Sequence, residues 1–145
     1  MIYLDTSAFI KLYLQEEGST EVHGLVVAQH HPLPIWQLVE LEFLNALKFK
    51  VFLAEMSRDE VDRVISLYRD RKRNGQYFVP HLDPIVMHEL SVHMTERTPA
   101  IGCRALDILH VAAARLCEAS LFITADKRQA TLAEAEEWDV RLVAS

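Results

Sequence analysis

Five short runs of mainly apolar residues, at positions 2–4, 32–35, 77–79, 121–124 and 140–143, punctuate a chain whose other apolar residues recur at helical spacing. A strand of three or four residues without polar alternation has no solvent face, so such strands belong in a sheet covered on both sides. The helical stretches between them are long enough to carry the chain back to the start of a parallel neighbour. The expected architecture is an α/β fold with a mostly parallel sheet between helices. At 145 residues, with no repeat or linker, the chain fits a single domain spanning 1–145.

Local signals mark the helices. After Asp5-Thr6-Ser7 the apolar residues Phe9, Ile10, Leu12, Tyr13 and Leu14 predict a first helix, and Ser19 or Thr20 can cap a second that runs to about residue 30. A long helix is expected over 38–53. Ser57 followed by Glu60 is a capping-box pattern, and Val61, Val64, Ile65 and Tyr68 form one stripe of the helix it opens, which ends near Gly75. Asp83-Pro84 reads as an N-cap followed by proline at the first helical position, opening a helix to about 97. Residues 103–119 are apolar apart from Arg104, Asp107, His110 and Arg115, as in a helix buried on most sides, and a last helix is expected from Asp126 to about 138.

The opening Met1-Ile2-Tyr3-Leu4-Asp5 has none of the parts of a secretory signal, and no stretch of about 18 apolar residues is present to span a bilayer, so a cytoplasmic protein is expected. Cys103 and Cys117, placed on one helix about 21 Å apart by helical rise, cannot pair and read as reduced thiols. The formal charge of −6, from 15 Lys and Arg against 21 Asp and Glu, weighs against a polyanionic partner. Two features weigh the other way: carboxylates that ligate a cation are neutralised, and cations cluster in Arg69-Asp70-Arg71-Lys72-Arg73. That run also reads as a solvated helix end.

Four acids stand where chemistry needs them. Asp5 and Asp126 follow strands, at the carboxyl ends where open α/β sheets bind ligands, although either residue can also cap the helix behind it. Asp107 lies mid-helix between Leu106 and Ile108, where a buried carboxylate needs Arg104, His110 or a metal ion as its partner. Glu42 sits in an apolar stretch with Glu40 two residues away on the opposite side of the helix, and periodicity does not choose between them. Brought together, such acids supply hard oxygen ligands for Mg²⁺ or Mn²⁺, and two such ions about 4 Å apart suit phosphodiester hydrolysis. A zinc reading of His88-Glu89-Leu90-Ser91-Val92-His93 fails, because histidines five apart on a helix diverge. No nucleophile elbow, Walker loop or dinucleotide fingerprint is present.

Four blocks carry a resemblance: Tyr3-Leu4-Asp5-Thr6-Ser7-Ala8, Glu42-Phe43-Leu44-Asn45-Ala46-Leu47, the stretch from Arg104 through Asp107 and His110 to Ala114, and Phe122-Ile123-Thr124-Ala125-Asp126-Lys127-Arg128-Gln129. In this order and at these separations the chain resembles PIN-domain nucleases, specifically the VapC-like toxins of toxin–antitoxin pairs. The resemblance implies a three-layer α/β/α sandwich and an acidic pocket holding Mg²⁺ or Mn²⁺ on Asp5, Glu42, Asp107 and Asp126. It selects Glu42 over Glu40 through the Glu-x-x-Asn-Ala-Leu pattern. It also assigns Thr6 or Ser7 and Thr124 to hydroxyl positions that orient the carboxylates. The implied activity is an endoribonuclease cleaving single-stranded or looped RNA by water activated at the metal, in a homodimer restrained by a cognate antitoxin. Two alternatives stay open: a PIN nuclease of RNA processing with no toxin role, and a non-catalytic protein-interaction module whose acids are caps and ion pairs.

Overall fold

A computed structural model describes residues 1–145. The chain runs β1 (Ile2–Leu4), α1 (Thr6–Phe9) with a 3-10 turn at Ile10–Leu12, α2 (Ser19–Ala28), β2 (Leu33–Pro34), α3 (Gln37–Phe52) and α4 (Arg58–Arg73). It continues through β3 (Tyr77–Phe78), α5 (Pro84–Met94), a 3-10 turn at Thr95–Arg97, α6 (Thr98–Ile101), α7 (Ala105–Leu116), β4 (Leu121–Thr124), α8 (Lys127–Ala135) and β5 (Val140–Leu142). All five expected strands are present.

Every strand pair is parallel. β4 lies between β1 and β5, with Tyr3 opposite Phe122 and Ile123 opposite Arg141, while β2 pairs with β3 through Leu33 and Tyr77. β2 runs beside β1 without ladder hydrogen bonds. From β1 the chain builds outward to β2 and β3 on one side, then returns to build β4 and β5 on the other. That reversal makes a topological switch point beyond the carboxyl ends of β1 and β4. The helices pack in two groups, α1 with α3 and α4, and α7 with α5 and α8, completing the α/β sandwich.

The core is one continuous cluster of 32 buried residues that includes all of β1. Phe9 sits inside a nest of Tyr13, Phe43, Tyr68 and Tyr77, with ring centroids 5.0–6.1 Å from its own. The first helix is shorter than its apolar run suggests. Ile10, Lys11 and Leu12 are all buried, and three consecutive residues cannot share one face of an α-helix, so the segment tightens into an enclosed 3-10 turn.

Caps explain the other departures. Ser57 and Glu60 form the full capping box, and Asp83 accepts from the Ile85 and Val86 N–H groups as expected. Ser19, however, does not cap α2: its hydroxyl donates to Leu14 O and accepts from Glu16 N–H, knitting the preceding turn together. The cap position belongs to Gly18, at φ 81°. A Cβ there would lie 2.7 Å from the Ala144 carbonyl oxygen, so the site excludes any side chain both by conformation and by contact. Gly18→Ala is expected to cost about 1–3 kcal/mol in urea denaturation. Gly24→Ala, inside α2 with open space around it, is expected to gain about 0.5–1 kcal/mol. Equal effects at the two positions would refute this account.

Both cysteines are buried and free, but Cys103 precedes α7 rather than lying on it, and Cys117 caps its far end. Burial pushes the Cys117 thiol up to about 11, which leaves it unreactive at neutral pH. Part of the basic run at the end of α4 is taken up by contacts within the chain: Arg71 stacks over Tyr13 and donates to Leu12 O, Lys72 meets Glu40, and on the surface Arg73 pairs with Asp70, while Arg69 is exposed. No helix is long and apolar enough to cross a membrane.

Candidate active site

A crevice of about 290 Å³ opens at the switch point, lined by Asp5, Thr6, Ser7, Glu42, His110, Asp126 and Gln129, with Ile10 and Ala46 as its apolar wall. Its three carboxylates come from the end of β1, the middle of α3 and the turn after β4. No lysine or arginine lines it. A larger hollow of about 380 Å³, at the amino ends of β2 and β3, is lined by His23, His30, His31 and Arg71 and contains no carboxylate.

Asp5 is the most enclosed of the acids, with 1% of its surface exposed. It caps α1 by accepting the Ala8 N–H at 2.9 Å, so the capping role is real. Ser7 Oγ donates to its carboxylate at 2.8 Å and Thr124 Oγ1 donates to Oδ2 at 2.9 Å. These hydroxyls are tied down in turn: Ser7 Oγ accepts the Ala125 N–H and Thr124 Oγ1 accepts the Asp126 N–H. The loops after β1 and β4 are thus locked to each other around one carboxylate. Burial raises the Asp5 carboxyl above its ordinary value, against the opposing influence of His110 and of the Ser7, Ala8 and Thr124 hydrogen bonds.

Glu42 is half-buried on α3 and accepts from Thr6 Oγ1 at 2.7 Å and from His110 Nε2 at 2.5 Å, both on Oε1. Burial works against its charge, but the His110 and Thr6 contacts outweigh it, and the carboxyl falls below the usual range. Glu40 turns away to α4, where Tyr68 and Lys72 hold it. Asp126 caps α8 through Oδ1, accepting the Arg128 and Gln129 N–H groups. The reciprocal half of that cap is missing. Gln129, 7% exposed, leaves its buried Oε1 with no donor at the crevice wall.

Asp107 is placed differently. It is buried in the first turn of α7, one turn before His110, and its Oδ2 accepts the Arg104 backbone N–H at 2.8 Å. Neither the Arg104 side chain nor His110 pairs with it, and it is not part of the crevice lining. No three His, Cys, Asp or Glu side chains converge on a single ion position. Thr124 is fully buried beneath Asp5, while Thr6 and Ser7 reach the crevice itself. Two polar lining residues have only weak signals in the sequence: His110 stands out there as a neighbour of Asp107, and Gln129 only as the end of the last of the four blocks.

Fold and crevice together define a parallel α/β sandwich with an acidic pocket at its switch point. The chain belongs to the PIN domain family, whose model matches residues 2–135. Among characterised proteins it is similar to ribonuclease VapC47 of Mycobacterium tuberculosis (strain CDC 1551 / Oshkosh), 27% identical over 132 residues that cover 88% of this chain and 86% of that one. Among solved structures it resembles FitAcB from Neisseria gonorrhoeae, with a TM-score of 0.68, 14% identity and 97% and 96% of the two chains covered. PAE2754 from Pyrobaculum aerophilum matches with a TM-score of 0.54 and 16% identity, over 93% of this chain and 90% of that one. The kinship read from the four sequence blocks and the expected sandwich are both confirmed.

Proposed function

We propose that this chain is an endoribonuclease dependent on Mg²⁺ or Mn²⁺ and the toxin of a type II toxin–antitoxin pair, with residues 1–145 acting as one PIN domain and Asp5, Glu42, Asp107 and Asp126 holding the ion. The observation that carries this reading is a crevice at the switch point whose carboxylates, drawn from separate elements, meet no lysine or arginine. The donor set fits the ion in chemistry: all are hard oxygens, and Asp5 is a buried carboxyl in a crevice with no lysine or arginine. Gln129 Oε1 adds an unsatisfied acceptor at the same wall.

A divalent ion held there supplies Lewis acidity, lowering the pKa of water and neutralising charge that develops on a phosphodiester. The chain's own residues do the rest. Ser7 and Thr124 orient Asp5, Thr6 and His110 orient Glu42, and the α8 cap fixes Asp126, leaving its Oδ2 without a protein donor. Asp107 commits Oδ2 to the Arg104 N–H, and because it does not line the crevice its Oδ1, which takes no protein donor, would have to turn toward the other acids to serve as a ligand. The substrate is single-stranded or looped RNA, whose backbone fits an open crevice more readily than a rigid duplex does. Kinship to VapC-like proteins supports a cytoplasmic homodimer and a cognate antitoxin, and Leu41, Phe49 and Phe52 on α3 and Ile85, Val86 and Val92 on α5 offer exposed apolar surface for such contacts.

The test is cleavage of a labelled single-stranded RNA with Mn²⁺, then with chelator, then with Mn²⁺ restored. Activity is expected to vanish and return. Asp107→Asn is expected to weaken Mn²⁺ binding about tenfold or more. Cleavage undiminished by chelator refutes the metal assignment, and absence of both Mn²⁺ binding and cleavage returns the chain to the interaction-module reading. Growth arrest on expression without the antitoxin separates a toxin from an RNA-processing nuclease.

A further inference from the structure

His110 is the one imidazole in the crevice, and the chemistry above does not use it directly. It is 1% exposed on α7, and its two ring nitrogens are spoken for on opposite sides. Trp36 Nε1–H donates to Tyr3 Oη at 2.7 Å. An indole nitrogen can only donate, so Tyr3 Oη accepts that bond; the Tyr3 hydroxyl is buried and His110 Nδ1, 3.0 Å away, is the one acceptor in its reach, which assigns the O–H to that nitrogen. With Nδ1 accepting, the ring carries its proton on Nε2, facing Glu42 Oε1 at 2.5 Å. Thr6 donates to the same oxygen, so Oε1 takes two donors while Oε2 takes none.

We propose that Trp36, Tyr3 and His110 form a hydrogen-bonded relay that positions Glu42, fixing His110 as an Nε2–H donor that locks Oε1 and leaves Oε2 to face a divalent cation. His110 is thus a positioning residue that touches neither cation nor substrate. The relay runs from Trp36, at the N-cap of α3, to β1 and α7 and returns to the body of α3, so it also sets the distance at which α3 presents Glu42 beside Asp5. This inference rests on the reading of Glu42 as a cation ligand.

Three measurements on the full chain at a fixed neutral pH test it. Titration with Mn²⁺ alone is expected to show affinity falling ten- to a hundredfold in His110→Leu. Tyr3→Phe, which keeps the ring stacked on Phe122 at 5.5 Å and removes only the hydroxyl, is expected to weaken Mn²⁺ severalfold. In a Glu42→Gln background, adding His110→Leu is expected to change Mn²⁺ affinity little further. An equal loss in both backgrounds makes His110 a purely structural residue and overturns the proposal. His110→Gln, whose amide can still donate, is expected to recover part of the affinity.

Should His110→Leu fail to fold, long-range ¹H–¹⁵N spectra of the metal-free parent decide the matter. A proton on Nε2 supports the relay, and a proton on Nδ1 overturns it. If the parent binds Mn²⁺ and Asp5→Asn weakens it while the Tyr3 and His110 variants do not, the relay alone is wrong. If the parent binds no Mn²⁺, the metal reading falls and the relay falls with it.

Discussion

Asp5→Asn is expected to reduce RNA cleavage at least about a thousandfold while the metal-free protein stays folded and becomes less sensitive to pH. The loss of activity reflects Lewis-acid stabilisation worth several kcal/mol, at about 1.36 kcal/mol per decade of rate. Stability changes through burial. Asp5 is held above its ordinary carboxyl value first by desolvation, so the folded state binds this proton more tightly than the unfolded chain does. Its contribution is most favourable below the unfolded value and is lost as pH rises through the folded one. Asparagine carries no charge, so the variant lacks that loss at neutral pH. Its side-chain oxygen can still accept the Ala8 N–H that caps α1. The check is kcat/KM on an RNA oligomer with Mn²⁺, alongside thermal melts in chelator from acidic to neutral pH. Cleavage at the parent's rate would remove Asp5 from the chemistry. Loss of the fold would assign it to structure alone.

Phe9→Ala should produce the largest loss of stability among single core truncations, about 3–5 kcal/mol. Total stability for such a domain is about 5–15 kcal/mol, so this one change can consume most of it. Phe9 is fully buried, and its ring meets Phe43 at 5.0 Å, Tyr77 at 5.4 Å and Tyr13 at 5.6 Å, each edge to face. The nest is rigid: Tyr13 and Tyr77 share a hydroxyl hydrogen bond of 2.6 Å, and Arg71 covers the Tyr13 ring at 4.8 Å. Neighbours fastened in this way cannot collapse into the space a benzyl group leaves. Phe49→Ala, on the outer face of α3 where the ring is 53% exposed, is expected to shift stability by less than about 1 kcal/mol. Denaturant midpoints compare the two directly. A Phe9→Ala cost below about 1 kcal/mol would show that the nest repacks. Because Phe9 ends the turn that carries Thr6 and Ser7, a folded Phe9→Ala variant should also bind Mn²⁺ less well.

What the linear order settles is local. The Ser57–Glu60 box, the Asp83-Pro84 start and the capping by Asp5 and Asp126 span three residues or fewer, so propensity and spacing decide them before any tertiary contact forms. The five strands were equally visible, since runs too short to alternate have only one stable placement.

Tertiary structure alone decided which face each polar residue meets. Helical periodicity does not separate Glu40 from Glu42, and only the resemblance does; in the fold Lys72 and Tyr68 on α4 take the first while His110 on α7 takes the second, across 68 residues of chain. Asp107, with Arg104 and His110 both in reach along its helix, uses neither side chain and turns to a backbone N–H. Tyr3 meets His110 across 107 residues, and Thr124 meets Asp5 across 119. Helical spacing says which residues share a side, but partners so far apart in sequence are chosen only when the sheet brings the ends of β1 and β4 together.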